Sequence, residues 1–209
     1  MKQEERTELT RKKIMKAAVN EFGSYGYEGG TIGRICKTGS INKGLIYHNF
    51  KDKDAMYLAC MKESCDLLMD MFKDMDQKTA PEALGEAYMR VRMHFFTVHP
   101  LHGRILFEGL LMPPAALQNE IKETLSPLED YNRQNIMTMH EALLLRSGIS
   151  RERAIACFRL VADAYNARFR SDTADHSDMN EKIEAHEKEL PKIIDCMLYG
   201  IAEKRENKE

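Results

Sequence analysis

Apolar residues recur along this chain at helical intervals, and nowhere do they alternate strictly for long enough to build a strand, so the pattern predicts an all-α fold. A first helix is expected from about residues 7–10. Ile14, Ala17, Ala18 and Phe22 form one stripe at i, i+3, i+4 and i+8 on a surface of Lys and Glu. The glycines of 23–30 make further helix unfavourable and end it around 23–26. Thr31 then reads as the N-cap of a short helix over 31–38 with Ile32, Ile35 and Cys36 inward. After the tight turn Gly39-Ser40-Ile41, a second short helix is capped by Asn42 and carries Ile46 inward over 42–48.

A long fourth helix begins at Asp52, where the carboxylates of Asp52 and Asp54 suit free N–H groups and the positive end of the helix dipole. Its inward positions are Leu58, Met61, Cys65, Leu68, Phe72 and Met75. Beyond Pro81, residues 82–99 are apolar on two faces, Leu84, Tyr88, Val91, Phe95 and Val98 on one and Met89, Met93 and Phe96 on the other, which predicts a central helix. Pro100 and Pro113-Pro114 bound a shorter segment over 101–112. Two long helices are expected over 115–146 and 150–171, parted by Gly148, with Ser150 as the second N-cap. A last helix over about 178–205 carries Ile183, Leu190, Ile194, Met197 and Ile201, with a kink or break at Pro191 and a frayed end at 206–209.

Composition narrows the class. With 43% hydrophobic and 31% charged residues among 209, the chain has the make-up of a globular protein that needs no disulfide to hold its core. Its apolar runs, such as 109–116, fall far short of the ~20 residues that cross a bilayer. The charged N-terminus has no apolar segment behind it, so a secretory signal is not expected and the location expected is cytoplasmic. Cys36, Cys60, Cys65, Cys157 and Cys196 are odd in number and form no Cys-x-x-Cys pair, which argues against a disulfide framework or thiolate zinc site; most are expected as small core residues. The net charge of -2 hides an asymmetry: residues 1–54 hold eight Lys and three Arg against two Asp and five Glu, leaving a basic head on an acidic body. The head is therefore the place to look for an anionic partner.

Three short helices in about 50 residues, the second and third joined by a tight turn, meet the requirement for a helix-turn-helix unit. The stretch Thr31-Ile-Gly-Arg-Ile-Cys-Lys-Thr-Gly-Ser-Ile-Asn-Lys-Gly-Leu-Ile-Tyr-His-Asn-Phe-Lys-Asp-Lys-Asp54 closely resembles the N-terminal signature of the TetR family of transcriptional regulators. Thr31, Ile35, Ile41, Lys43, Gly44, Tyr47, Phe50 and Lys53 match it without a gap, and the specific resemblance covers residues 9–58. There are three departures. Gly39-Ser40 stands where the family usually has Ala-Gly, Asn42 where Ser is usual, and Leu45 where Thr is common.

The resemblance implies a DNA-binding domain over 1–54 and a larger helical domain over 55–209 that pairs protomers and holds a small-molecule inducer. On a helix in the major groove, Lys43 and Gly44 occupy the first turn, the glycine allowing close approach and the lysine reaching a base edge or a phosphate. Leu45 faces a thymine methyl, Asn42 can donate to a phosphate, and Arg34 is placed to reach the backbone or a base. Tyr47 and His48 are phosphate contacts in family terms, and Thr31 and Lys53 grip phosphates from two helix N-termini. Taken singly, Lys43, His48 and Lys53 would be an ordinary solvated face and Tyr47 a core residue; only the ordered set points to DNA.

The body carries twelve of the fourteen methionines, and such flexible side chains suit adaptable apolar cavities. Met89, Met93, Phe96, Phe107, Leu110, Met137 and Tyr165 are candidates to wall a pocket, with Arg92, His140 or Arg168 as its polar contact; each is also an ordinary core or surface residue when taken alone. Late apolar stripes at Ile155, Phe158, Ala162, Tyr165 and Phe169, and at Leu190, Ile194, Met197 and Ile201, suit a four-helix interface between two copies. His94, His99 and His102 lack metal-ligand spacing, and Asp172, Asp175, His176 and Asp178 read as a solvated loop; neither a metal nor a cofactor is expected. The reading that results is a homodimeric repressor bound to a palindromic DNA operator and released by an apolar or amphipathic effector, with no membrane partner. Its rivals are an activator, a regulator without an effector, and an enzyme. The last is disfavoured because no nucleophile with a base stands out in the sequence.

Overall fold

The structure, a computed structural model, describes residues 3–76, 79, 83–142, 145–171 and 179–199. Among them are nine α-helices and no strand: α1 (Gln3–Gly29), α2 (Ile32–Gly39), α3 (Lys43–Asn49), α4 (Lys53–Asp76), α5 (Leu84–Val98), α6 (Pro100–Leu111), α7 (Gln118–Ala142), α8 (Arg151–Ser171) and α9 (Met179–Tyr199). A 3-10 turn, Ala115–Leu117, leads into α7. The chain forms two compact units, residues 1–136 and 137–209.

In the first unit, α1 buries the stripe expected of it, Ile14, Ala17, Ala18 and Phe22. It starts earlier than the sequence pattern indicates and its helical geometry breaks at Gly26, whose φ of 69° is open to glycine at little strain. α1 lies against α2, α4 and α6. Phe22 and Tyr27 from α1 meet Tyr57 of α4 edge-on, at ring-centroid distances of 5.2 and 5.0 Å. α4 begins one residue after its expected cap, with Ala55 N–H donating to Asp52 Oδ1 at 2.8 Å. It buries Met61, Cys65, Leu68, Phe72 and Met75 at alternating spacings of four and three. Phe72 is sandwiched between Tyr88 of α5 and Tyr131 of α7, with centroids 4.8 and 4.7 Å away and nearly parallel planes.

Several expectations need correction. α5 buries Leu84, Met89, Arg92 and Phe95, but Met93 and Val98 stand exposed, so it is one-sided rather than central. Its polar positions Arg90, His94 and Thr97 share that open side, which explains the difference: the second apolar row is interrupted by groups that need water. α5 ends at Val98, just before Pro100 as expected, and the proline itself opens the shorter α6 at its first position, where its missing N–H is no loss. Only Cys60 and Cys65 are buried, whereas Cys36 is half-buried and Cys157 and Cys196 are exposed. Pro191 lies inside α9, which continues on both sides of it. Ser150 does cap α8, accepting from Arg153 N–H at 3.3 Å. The side chains of His140 and Phe169, together with Ile201 and the cluster of Asp172, Asp175, His176 and Asp178, lie outside the described residues.

The second unit has a polar centre. His186 and Glu187 of α9 are buried, with Nδ1 of the histidine 2.9 Å from Glu187 Oε1 and Nε2 3.1 Å from Asn166 Oδ1 of α8. The Tyr165 hydroxyl donates to His186 O at 2.9 Å, and burial pushes its pKa up to about 12.

Between α4 and α6, Ser64 Oγ donates to Cys60 O at 2.8 Å and lies 3.0 Å from Nδ1 of His102. Glu63 Oε1 is 3.9 Å from the other ring nitrogen. This serine–histidine–carboxylate order resembles a nucleophile with its base, a pairing the sequence did not reveal. Ser64 is nevertheless fully buried and its proton is given to a backbone carbonyl, so the arrangement is a helix–helix joint. Burial and the neighbouring His99 hold His102 below its ordinary pKa. As the pH falls through about 6.5 the unfolded chain takes up this proton more readily than the folded chain, so stability falls as the pH drops. Urea unfolding at pH 7.5 and 5.5 is expected to show this fall in the wild-type chain and a smaller one in His102→Gln; equal falls in both would remove His102 from the acid response.

Candidate nucleic-acid interface

The head is built around a left-handed turn. α2 starts at Thr31, whose hydroxyl accepts from Arg34 N–H at 3.2 Å, and ends at Ser40, the one non-glycine residue among those described with positive φ, at 49°. Ile41 N–H returns to Cys36 O at 2.9 Å and closes the helix end. Gly39 is needed for a different reason: a Cβ there would stand 2.5 Å from Ile41 Cδ1 and 2.9 Å from Ala17 Cβ of α1. The Gly39-Ser40 pair thus divides two demands, close packing at the first position and left-handed backbone at the second. Ser40→Gly is expected to raise stability by about 0.5–1 kcal/mol by relieving the left-handed serine, and Gly39→Ala to lower it by about 1–3 kcal/mol through overpacking. Chemical denaturation measures both, and a destabilising Ser40→Gly would show that the turn is unstrained.

From this turn α3 emerges with Asn42 as its cap, its Oδ1 accepting from Gly44 N–H at 2.8 Å. Ile46 alone in α3 is buried. Asn42, Lys43, Gly44, Leu45, Tyr47 and His48 all lie on the open surface, Leu45 at 42% and Tyr47 at 49% exposure. Tyr47 is therefore not a core residue. A Cβ at Gly44 would meet only Asn42 Oδ1, at 3.3 Å, so the absence of a side chain there clears space on the outward face rather than inside the fold. The Lys43 ammonium is 5.9 Å from the Tyr47 ring centroid.

The flanking candidates are held more tightly. Lys53, at the start of α4, places its ammonium 4.4 Å from the Tyr27 ring centroid and 3.5 Å from Glu28 O. Tyr27 in turn donates its hydroxyl to Asp54 Oδ1 at 2.6 Å, and that bond pushes its pKa up to about 12. Arg34 turns back into the head: Nε donates to Glu21 Oε1 at 2.7 Å, Nη2 donates to Gly29 O, and the guanidinium stacks 4.3 Å from the Tyr25 ring centroid. Glu21, only 2% exposed, also accepts from Thr31 N–H at 2.7 Å. Glu21 was missed from sequence although it is a lone carboxylate beside the apolar stripe of α1, which is the signal that could have found it.

The candidate ligand residues separate into two sets. Arg92, Phe96 and Phe107 are neighbours in the first unit, with the guanidinium 5.6 Å from the Phe96 ring centroid and the two phenyl centroids 6.4 Å apart. Arg92 and Phe107 are buried, as is Met89 of the same unit, whereas Phe96 and Leu110 are half-buried and Met93 is exposed. Met137 and Arg168, both exposed, and Tyr165, half-buried, lie in the second unit. A shallow hollow on α7 is lined by Asn119, Lys122, Glu123, Ser126 and Glu129 and includes none of the candidates.

Three helices with a left-handed turn before the third, and an outward face on that third helix, define a helix-turn-helix head. The family of bacterial regulatory proteins known as the tetR family matches residues 14–60, the segment that contains this geometry. Residues 14–60 thus carry the N-terminal domain of the tetR family, and the relatives that share it are transcriptional regulators. It is 24% identical over 120 residues to the HTH-type transcriptional regulator RutR of Escherichia coli K12, covering 57% of each chain. It thus spans little more than half the length of this curated relative. It is 39% identical over 59 residues to the HTH-type transcriptional repressor AcnR of Corynebacterium diphtheriae, covering 27% of this chain and 31% of that one. Among solved structures, the regulator FadR of Bacillus subtilis, in complex with stearoyl-CoA, shares the fold with a TM-score of 0.61 at 18% identity, covering 92% of this chain and 100% of that one.

Proposed function

We propose that the chain is a cytoplasmic, DNA-binding transcriptional repressor that binds a palindromic operator as a homodimer and releases it when a small apolar or amphipathic effector binds. The observation that carries this reading is the surface of α3, where six of the seven positions from Asn42 to His48 are open and only Ile46 is buried. In this reading Lys43, Gly44 and Leu45 face base edges, Asn42, Tyr47, His48, Thr31 and Lys53 contact phosphates, and Arg34 braces the turn that presents Thr31. Two such heads related by a two-fold axis would present α3 and its mate about 34 Å apart, one turn of DNA.

Pairing is supported by the late helices. Ile155, Phe158 and Ala162 of α8 and Leu190, Ile194 and Met197 of α9 are only half-buried, and Leu160 is exposed. An effector with an anionic end and an apolar body fits Arg92 beside Phe96 and Phe107. The stearoyl-CoA held by FadR of Bacillus subtilis is a molecule of that kind. Release requires only that the effector bind more tightly to a state in which the two heads no longer match the half-site spacing. The close packing of Phe96 on Phe107 also fits a second reading, a regulator that responds to no effector.

The test is selection of bound duplexes from a random DNA pool, followed by a salt titration on the selected sequence. A palindrome with half-sites one turn apart is expected; no enrichment over non-specific binding would sink the reading. Lys53→Ala is expected to weaken binding to all sequences alike and to reduce the salt slope by about one, whereas Lys43→Ala should relax preference at one base position. Uniform loss from Lys43→Ala would demote it to a backbone contact.

A further inference from the structure

Within the apolar run 105–112 of the sequence, Glu108 is the one charged residue, and it lies on α6 where that helix meets the head. Both of its carboxylate oxygens accept from Tyr27 N–H, each at 3.1 Å, and Oε2 also accepts from the Tyr57 hydroxyl at 2.7 Å. Tyr27 follows directly on Gly26, the break in α1, and a Cβ at Gly26 would come within 2.9 Å of Glu108 Oε1. The carboxylate therefore sits flat on the break and satisfies an N–H that the interrupted helix leaves open. Tyr57 brings in α4 from the other side. Burial raises the Glu108 pKa and, together with the nearby carboxylate, raises that of Tyr57.

The consequence runs outward to the DNA-facing surface. Tyr27, fixed at its backbone by Glu108, holds Asp54 through its hydroxyl and lies under the Lys53 ammonium. A shift of α6 thus displaces the break in α1 and the first turn of α4 together. We propose that Glu108 is a positioning residue for DNA binding, fixing the attitude of the head on the body by holding the α1 break and α4 on one α6 carboxylate. This inference rests on the DNA-binding reading above. It predicts a group that touches no DNA and yet decides how well the operator is matched, because the two heads must hold the half-site spacing while one head alone can grip phosphates anywhere.

The test uses the full-length chain with Glu108→Ala, Glu108→Gln and Tyr57→Phe, measuring affinity for the selected operator and for a random duplex across a salt series. Glu108→Ala is expected to lose at least about tenfold on the operator while random-duplex affinity and salt slope stay unchanged. Glu108→Gln should remain within about threefold of wild type, since its amide oxygen can accept from Tyr27 N–H and its amide nitrogen can donate to the Tyr57 oxygen. Tyr57→Phe should fall between them. Equal loss on both duplexes would reduce Glu108 to a stability role and overturn the proposal, as would wild-type operator affinity in Glu108→Ala. If Glu108→Ala does not fold, Tyr57→Phe decides, and wild-type operator affinity in that variant overturns the proposal. A wild-type chain that selects no duplex removes the DNA reading and this proposal together, whereas a selected operator bound equally by all variants removes the proposal alone.

Discussion

Gly23→Ala is expected to destabilise the protein by about 3 kcal/mol, at the upper end of what overpacking produces. A Cβ on Gly23 would stand 2.7 Å from Leu101 Cβ, 2.8 Å from Leu101 O and 2.9 Å from Leu101 Cα. Two of those three atoms belong to the backbone of α6, so no change of rotamer relieves the clash and α1 must lift from α6. For a chain of this length the loss corresponds to a fall of roughly 6–12 °C in Tm. Gly33→Ala is the matched control: nothing lies within 4 Å of its would-be Cβ, and alanine inside α2 should stabilise by about 0.5–1 kcal/mol. Thermal unfolding followed by circular dichroism reads both. A loss below about 1 kcal/mol in Gly23→Ala would mean that α1 and α6 are loosely apposed.

Phe72→Ala is expected to have the larger effect, about 3–5 kcal/mol. The ring is fully buried, and it is the middle layer of a three-ring stack that joins α4, α5 and α7. Its removal takes away the transfer energy of the side chain, leaves a cavity, and strands two tyrosine faces. Tyr88 is tied by its hydroxyl to Asn132 Oδ1 at 2.9 Å, which restrains it from collapsing into the void. Phe72→Leu should lose less than half as much, because it refills most of the volume. Urea midpoints for the two variants measure the difference. A Phe72→Ala loss under about 1.5 kcal/mol would show that the stack closes up freely.

The head was legible from sequence almost residue by residue, because its structure is dictated by local chemistry. Thr31, Asn42 and Asp52 each lie where a capping side chain must lie, and α2, α3 and α4 start within a residue or so of the expected points. The exposure of the α3 surface also follows from its pattern, with one apolar residue turned inward. What could not be read was long-range pairing. Nothing local to Glu21 or Glu108 says which backbone N–H it will meet, ten residues away in one case and eighty-one in the other. Arg34 was an outward candidate for the same reason: on its own helix it faces out, and only the return of α1 supplies Glu21, Gly29 and Tyr25 to hold it. Two-sided apolarity in α5 misled in the opposite direction, since periodicity does not tell a helix wrapped on all sides from one whose second row is left open.

The flat face of α1 bears on how this head can be recombined with other bodies. Gly23 and Gly26 have no side chains because α6 lies against them, and Tyr27 N–H is capped by a residue far along the chain. A head grafted onto a foreign body at the start of α4 would carry a surface shaped for an absent helix and a backbone donor with nothing to accept it. Chimeras that borrow this head should therefore take α6 along with it, or rebuild its glutamate in the recipient; on the DNA-binding reading proposed above, grafts that do neither should read an operator poorly even when every residue of the α3 surface is retained.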